Sequence, residues 1–288
     1  MRKRLRKNPF TVPSSGDSRE AYVSYDIIGN IAVIRVSSVS PENTQNVAKT
    51  IMNIHKNVKT VLVQVGPVVG DFRLRRLTHV AGENKTSTIH KEYGCLFSVD
   101  VEKCYFSPRL SHERMRIAGI VKPNETVVNM FAGVGCFSII IAKHANVAKV
   151  LSIDVNPMAI QFMHENIRLN RVYNKVIPIL GDSKEIVNSQ LHGLSDRVLM
   201  PLPEKAFEYL HFAVSALKAS GGWVHYYDFE HAEKTEKPFE KTKLKVAEKL
   251  ASLDLAFKLP FSRVVRSIGP NWYQVALDIH ITHFPDKS

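Results

Sequence analysis

Two runs of residues, one crossover helix apart, have the make-up of a nucleoside site. Val127-Val128-Asn129-Met130-Phe131-Ala132-Gly133-Val134-Gly135-Cys136 reads as a buried strand that breaks into a glycine turn. Val150-Leu151-Ser152-Ile153-Asp154-Val155-Asn156-Pro157 reads as the next strand, ending in an acid. In a Rossmann-like sheet, glycines at the first strand end let the backbone approach the ligand, and the acid at the second takes the two ribose hydroxyls. Asp182, in Leu180-Gly181-Asp182-Ser183, falls in register with Asp154 at the end of a third strand. An acid there, with the backbone amide that follows it, suits the adenine amino and ring nitrogens, although the same residue has the chemistry of a helix cap. A fourth strand end, Met200-Pro201-Leu202-Pro203, is fixed by its prolines. Its carbonyls are expected to point at the ligand, and the same prolines suit a rigid turn into a helix opening near Glu204.

Length and charge bound what such a site serves. A chain of 288 residues holds one large domain and a small one, each with a core of its own. Lys and Arg number 39 against 27 Asp and Glu, a formal +12 that favours a polyanionic partner, because each phosphate neutralised releases counterions. Apolar stretches such as 137–142 are far too short to span a membrane, and Met1-Arg2-Lys3-Arg4-Leu5-Arg6-Lys7 has no apolar run behind it, so it is no secretory signal. Cys95, Cys104 and Cys136 are odd in number and lack CxxC spacing. They read as reduced thiols in a cytoplasmic protein with no metal site.

The elements that must position these residues fall into three segments. Residues 1–19 are a basic tail containing Pro13-Ser14-Ser15-Gly16. Residues 20–108 read as a small α+β module: two short strands across 25–36, a helix over 41–55, a strand at 60–65, a turn at Gly82-Glu83-Asn84-Lys85, and strands near 87–91 and 95–100. From 109 to 288 the pattern becomes α/β, with a helix near 111–118 and strands near 126–132, 149–155, 176–181, 196–202 and 222–229. Repeated βα units predict a parallel sheet with helices on both faces. Residues 264–282, broken by Gly269-Pro270-Asn271, predict a closing antiparallel hairpin.

The Phe-Ala-Gly-Val-Gly opening and the Asp-Val-Asn-Pro segment resemble those of class I S-adenosylmethionine (SAM) methyltransferases. A dinucleotide site usually wants a third glycine where this chain has Ser138, whereas SAM carries no phosphate. The resemblance implies SAM as the bound nucleoside and co-substrate, held by Phe131, Ala132, Gly133, Gly135, Asp154, Val155, Asp182 and Ser183. A narrower resemblance comes from Gly70-Asp71-Phe72-Arg73-Leu74-Arg75, His79-Val80-Ala81-Gly82-Glu83-Asn84, Tyr105-Phe106-Ser107-Pro108-Arg109-Leu110-Ser111-His112-Glu113-Arg114 and His225-Tyr226-Tyr227. Together with the glycine turn, these motifs resemble the archaeal and eukaryotic tRNA (guanine-37, N1)-methyltransferases, in order, from about residue 25 onward.

That resemblance implies methyl transfer to N1 of the guanosine 3′ of a tRNA anticodon, with the anticodon stem-loop as partner; the fold is compatible with a monomer, and no interface stripe stands out in the sequence. Guanine N1 carries a proton and is a poor nucleophile until it leaves, so a general base is required. The family glutamate maps to Glu113, and the arginine that steadies charge on O6 maps to Arg73, with Arg75 as the nearest alternative. Tyr105, Arg109 and the Pro201-Leu202-Pro203 loop match the lining of the target-base pocket, where an extruded base would be held. Three departures stand out. Pro201 replaces the usual asparagine of Asn-Leu-Pro, Asn129 replaces the usual strand-one acid, and only about twenty residues precede the small module, so checking of the tRNA body is expected to be weaker or to fall to the tail. The rival readings are a SAM-dependent aminocarboxypropyl transferase of wyosine-type base synthesis and a non-catalytic RNA-binding protein with a vestigial SAM fold. A preformed wyosine intermediate is also conceivable as a second substrate.

Overall fold

The computed structural model describes residues 10–14, 17–35 and 40–284, so the Arg2–Lys7 basic cluster lies outside the described residues. The chain divides into two compact units, Met1–Arg109 and Leu110–Ser288.

The first unit carries β1 (Phe10–Ser14), β2 (Asp17–Ile28), β3 (Ile31–Arg35), α1 (Pro41–Ile54), β4 (Thr60–Gln64), β5 (Leu77–Gly82), β6 (Ser87–Glu92) and β7 (Cys95–Asp100). β1 to β5 form one sheet in sequence order and β6–β7 a separate antiparallel pair. β3 and β4 are parallel because α1 crosses between them. Ser40 caps α1 by accepting from the Asn43 amide, Pro41 opens its first turn, and Val47, Ala48 and Ile51 pack on Ala32, Ile34 and Val61. The sheet reaches into the segment read as a tail, since β1 pairs with β2 from Phe10 onward. The sequence reading also lacks β5, whose alternation is weak: Thr78 and His79 are both exposed, next to an irregular register at Val61 and Leu62.

The second unit carries α2 (Ser111–Ile120), β8 (Thr126–Asn129), α3 (Cys136–His144), β9 (Lys149–Asp154), α4 (Pro157–Asn170), β10 (Val176–Leu180), α5 (Ser183–Ile186), β11 (Arg197–Met200), α6 (Pro203–Ser215), β12 (Gly222–His231), α7 (Pro238–Ala251), β13 (Ala256–Gly269) and β14 (Trp272–His283). Its sheet runs β10-β9-β8-β11-β12-β14-β13, parallel through β12 and antiparallel at β14 and β13. α3 is buried from Cys136 through Ala142, as expected of a helix apolar on every side. The closing hairpin is longer than the sequence reading. β13 starts at Ala256, where Lys258 and Pro260 interrupt the apolar pattern of an edge strand whose register with β14 is itself irregular. β8 and β11 stop three and two residues short of their expected ends, because the chain leaves the sheet there for the turn into α3 and the link to α6.

Candidate active site

In the second unit the site lies where β8, β9 and β10 end, since a parallel sheet collects its strand ends along one edge. β8 leaves the sheet at Asn129, and Phe131, Ala132, Gly133 and Gly135 form the turn before α3. Gly133 and Gly135 have φ of 57° and 90°, the left-handed region that glycine enters freely. Gly135 also answers to packing: a Cβ there would lie 2.8 Å from Met163 Cγ and 3.1 Å from Ile139 Cδ1. Glycine at this position therefore serves the contact between α3 and α4.

Asp154 closes β9. Its Oδ2 accepts from the Gly133 amide at 2.6 Å and its Oδ1 from the Asn156 amide at 2.9 Å. The acid thus fixes the glycine turn and the entry to α4 together. Burial raises the Asp154 carboxyl above its ordinary value, and the two amides oppose that shift. Val155 beside it is 45% exposed, an apolar surface a planar base would cover. Asp182 caps α5 by accepting from the Lys184 amide at 2.9 Å, and both its oxygens accept from the Tyr209 hydroxyl, at 3.1 and 3.0 Å. The Ser183 hydroxyl donates to the Met130 carbonyl, which leaves its backbone as the part able to meet a ligand. Tyr209 stands edge-on to Phe131, with ring centroids 5.4 Å apart, so the first and third strand ends are tied through one aromatic contact.

Two departures from the expected motifs have a shared structural setting. Asn129 donates to the Ser138 hydroxyl at 3.1 Å, and Ser152 donates to it at 2.8 Å, all three fully buried. The serine at the third glycine position is thus accommodated by a polar contact between β8, β9 and α3. Pro203 opens α6 at its first position, while Pro201 and Leu202 are half-buried in the link from β11. The proline expected at a helix start is thus Pro203, with α6 opening one residue earlier than Glu204.

Glu113 sits in the first turn of α2 with 1% of its surface exposed. Its Oε2 accepts from Arg116 Nε and from the Tyr227 hydroxyl, each at 3.0 Å, and its Oε1 lies 2.7 Å from Arg263 Nη2. Arg116 grips Asp278 with two bonds of 2.7 and 3.1 Å. His225 Nδ1 stands 2.6 Å from Asp278 Oδ1, and Arg197 Nη1 stands 2.6 Å from His225 Nε2. A guanidinium only donates, so Nε2 is the accepting nitrogen and Nδ1–H donates to Asp278. Arg197 ends the chain on Glu125, at 2.7 and 2.9 Å. Burial pushes His225 down and so favours the neutral ring, while Asp278 opposes the shift. Burial alone would raise Asp278, but His225 and Arg116 outweigh it and bring it to about 2. Burial, with Glu113 alongside, pushes the Tyr227 phenol well up, so it stays a donor. Phe137, in the first turn of α3, lies 6.1 Å from the Tyr227 ring and 5.9 Å from the Arg114 guanidinium. The Glu113 cluster is thereby packed on the helix that opens from the glycine turn.

The first unit collects Arg73, Arg75, Tyr105 and Arg109. The Arg73 guanidinium lies 4.1 Å above the Tyr105 ring and that of Arg75 5.8 Å from it. Arg73 has a φ of 54°, rare for a residue with a side chain, in a turn closed by its amide donating to the Gly70 carbonyl at 3.0 Å. Arg75 is 5% exposed and donates to the Phe106 carbonyl at 2.7 Å; burial lowers it, against Tyr105 and Asp26. Arg109 is held by Asp26 at 2.6 Å, which also pairs with Arg35. Arg73 and Glu113 thus belong to different units. Sequence reasoning missed Arg116, Arg263, Asp278 and Asp26. Only Arg116, three residues after Glu113, had a local signal.

This strand order, with a glycine turn after the first parallel strand and an acid on the second, defines a class I methyltransferase fold. The chain belongs to the TRM5/TYW2 methyltransferase family: the profile of the TRM5/TYW2 methyltransferase domain matches residues 88–255, and that of the TYW2 N-terminal domain matches residues 14–86. It is 40% identical to the tRNA (guanine(37)-N(1))-methyltransferase Trm5b of Pyrococcus abyssi over 90% of this chain and 75% of that protein, whose crystal structure superposes with a TM-score of 0.79. It is 35% identical to the tRNA 4-demethylwyosine(37)-methyltransferase Taw21 of Saccharolobus solfataricus, over 91% of this chain and 95% of that one. The TYW2 of Methanocaldococcus jannaschii, solved with AdoMet, shares 30% identity over 91% of this chain and all of that one, with a TM-score of 0.64.

Proposed function

We propose that this protein transfers the methyl group of SAM to N1 of guanosine 37 in tRNA, next to the anticodon. The observation that carries this reading is Glu113: a buried carboxylate, anchored through Arg116 and Tyr227, on a helix packed against the one that opens from the glycine turn. SAM is the co-substrate and supplies an electrophilic methyl. Asp154 fits the ribose hydroxyls, because its two oxygens already line up on backbone amides and have lone pairs to spare. Phe131, Ala132, Gly133 and Gly135 flank the methionine part, Val155 covers the adenine, and Asp182 with the Ser183 amide reads its edge.

Glu113 takes the N1 proton as the new N–CH3 bond forms, leaving 1-methylguanosine, S-adenosylhomocysteine and a protonated carboxyl that returns its proton to water. Arg73, with Arg75 as the alternative, steadies the negative charge that moves to O6. Tyr105 and Arg109, with the Pro201-Leu202-Pro203 loop, line the pocket of the extruded base. Residues 20–108 serve as the tRNA-positioning module, residues 109–288 as the methyltransferase domain, and residues 1–19, where basic, add phosphate contacts. We place the protein in the cytoplasm, acting as a monomer on the anticodon stem-loop. Among the described residues no helix is long and apolar enough to cross a membrane.

Nucleoside mass spectrometry of a tRNA transcript bearing guanosine 37, incubated with SAM, tests the reading directly. Methyl and aminocarboxypropyl transfer add different masses, and a vestigial fold adds none. A transcript carrying 4-demethylwyosine at position 37 tests the second acceptor. Glu113→Gln keeps the shape but accepts no proton, so the single-turnover rate should fall by about 10²–10⁴ with SAM and tRNA affinities little changed. A Glu113→Gln protein within threefold of wild type would refute the base assignment.

A further inference from the structure

The two oxygens of Glu113 are held differently. Oε2 is fixed by Tyr227, which is 1% exposed, and by Arg116, which Asp278 grips in turn. Among the described residues Oε1 meets only Arg263, at 2.7 Å, and the contact is a charge contact that is not aligned as a hydrogen bond. The Arg263 side chain is 38% exposed, against 17% for Arg116, and its Nε is buried without a hydrogen-bond partner among the described residues. Arg263 also stands on a strand with one free edge and a broken register. β13 is an edge strand, and its register with β14 is irregular on both sides of this residue, between Lys258 and Phe261 and between Val264 and Arg266. One oxygen of the carboxylate is therefore clamped from within, and the other is covered by a cation that reaches solvent on a deformable edge.

We propose that Arg263 is a positioning residue that covers Oε1 of Glu113 in the free protein and yields that oxygen to the N1–H of the incoming guanosine. This rests on the reading of Glu113 as general base. It assigns Oε1 as the proton-accepting atom and makes Arg263 a placeholder that keeps the buried carboxylate paired until the substrate base arrives. Arg116 already balances the charge at Oε2, but a buried acceptor left bare is costly, so Oε1 gains from a cation beside it between turnovers. The exchange costs little, because Oε1 gives up an unaligned contact and gains an aligned one. The groups that face Glu113 are Arg116 from α2, Tyr227 and, behind Asp278, His225 from β12, Asp278 from β14, and Arg263 from β13; the buried Arg114 follows it on α2 with its guanidinium 5.9 Å from the Phe137 ring, and Cys136 is the one titratable residue in the buried stretch Cys136–Ala142 of α3.

The test is single-turnover methylation of a guanosine-37 transcript with saturating SAM, as a function of pH and tRNA concentration, for Arg263→Gln and Arg263→Lys. The limiting rate at saturating tRNA reports the bound state, and its ratio to the half-saturating concentration reports the free protein. In Arg263→Gln the acidic limb of that ratio should move up by about one pH unit, a loss of up to about tenfold along the limb, while the limb of the limiting rate moves far less. Arg263→Lys, which keeps a cation near Oε1, should restore the wild-type limb. Equal displacement of both limbs would mean that Arg263 stays on Glu113 in the complex, and unmoved limbs would mean that it does not govern this oxygen; either overturns the proposal. Thermal melts of both variants exclude misfolding, which would lower rates without moving a limb. If Glu113→Gln retains wild-type activity, the general-base reading has failed; if Glu113→Gln is inactive and Arg263→Gln moves no limb, only the placeholder role has.

Discussion

Asp154 is the residue whose replacement reads the nucleoside site most directly, and the structure changes what that replacement should do. Its carboxylate accepts from the Gly133 amide at 2.6 Å and the Asn156 amide at 2.9 Å before any ligand arrives. Bonds to a charged acceptor contribute about 1.5–3 kcal/mol each. Asp154→Ala therefore removes two, and because Asp154 itself is only partly buried the stability loss should be about 2–4 kcal/mol. Asp154→Asn is the cleaner perturbation. Its remaining oxygen serves one amide, its NH2 group faces the other, and the acceptor pair needed by the ribose hydroxyls is gone. SAM affinity should fall by about 1.5–3 kcal/mol, or about ten- to hundredfold, in a calorimetric titration. Because burial raises this carboxyl, wild-type affinity should also begin to weaken at a higher pH than an exposed aspartate would give, as the protonated acid ceases to accept at both oxygens. A folded Asp154→Asn protein that binds SAM within threefold of wild type would show that the ribose lies elsewhere.

Two further outcomes follow from the same geometry. Gly135→Ala should cost about 2–5 kcal/mol in a denaturant titration, since it adds left-handed strain to a Cβ 2.8 Å from Met163 Cγ; an unchanged midpoint would mean that α4 yields freely. Burial pushes His225 below the ordinary imidazole value of 6.5, and its contacts with His225 and Arg116 bring Asp278 to about 2 against an ordinary 3.8. Both are lowered by folding, so the unfolded chain binds more protons, and stability present above pH 6.5 is lost as pH falls, first through His225 and below pH 4 through Asp278. His225→Gln should remove up to about 1.4 kcal/mol per pH unit of that slope just below pH 6.5, and an unchanged slope in pH-dependent melts would refute the assignment.

The parts of this molecule that follow from short-range pattern were legible in its residues. Strands with β-branched runs, such as β4 and β9, and helices with a cap and a proline at the first position, such as α1, announce themselves locally. The glycine turn and the acids after β9 and β10 were visible because the sheet edge gathers strand ends in a fixed order. Where the reading fell short, local pattern and tertiary context disagreed. β5 carries exposed residues in succession, and β13 contains Pro260 and a broken register, so neither shows clean alternation. Gly135 read as a ligand-facing glycine, yet its missing Cβ leaves room for Met163 and Ile139, residues whose proximity no spacing rule encodes.

The surroundings of Glu113 were illegible for a more general reason. A buried carboxylate needs partners, but nothing in the sequence dictates where they come from. Here Arg116 comes from the same helix, Tyr227 from β12, and Asp278 and Arg263 from a hairpin about one hundred and fifty residues away. That hairpin is the antiparallel close of the sheet, and it does more than cover an edge. Through Asp278 it engages the arginine that holds one oxygen of the candidate base, and through Arg263 it covers the other. The two oxygens of Glu113 are thus reached from opposite strands of one hairpin, Oε2 through Arg116 and Asp278 of β14 and Oε1 through Arg263 of β13. Substitutions at Arg263 and Asp278 should accordingly alter the pH dependence of catalysis while leaving the ends of β8, β9 and β10 as they are.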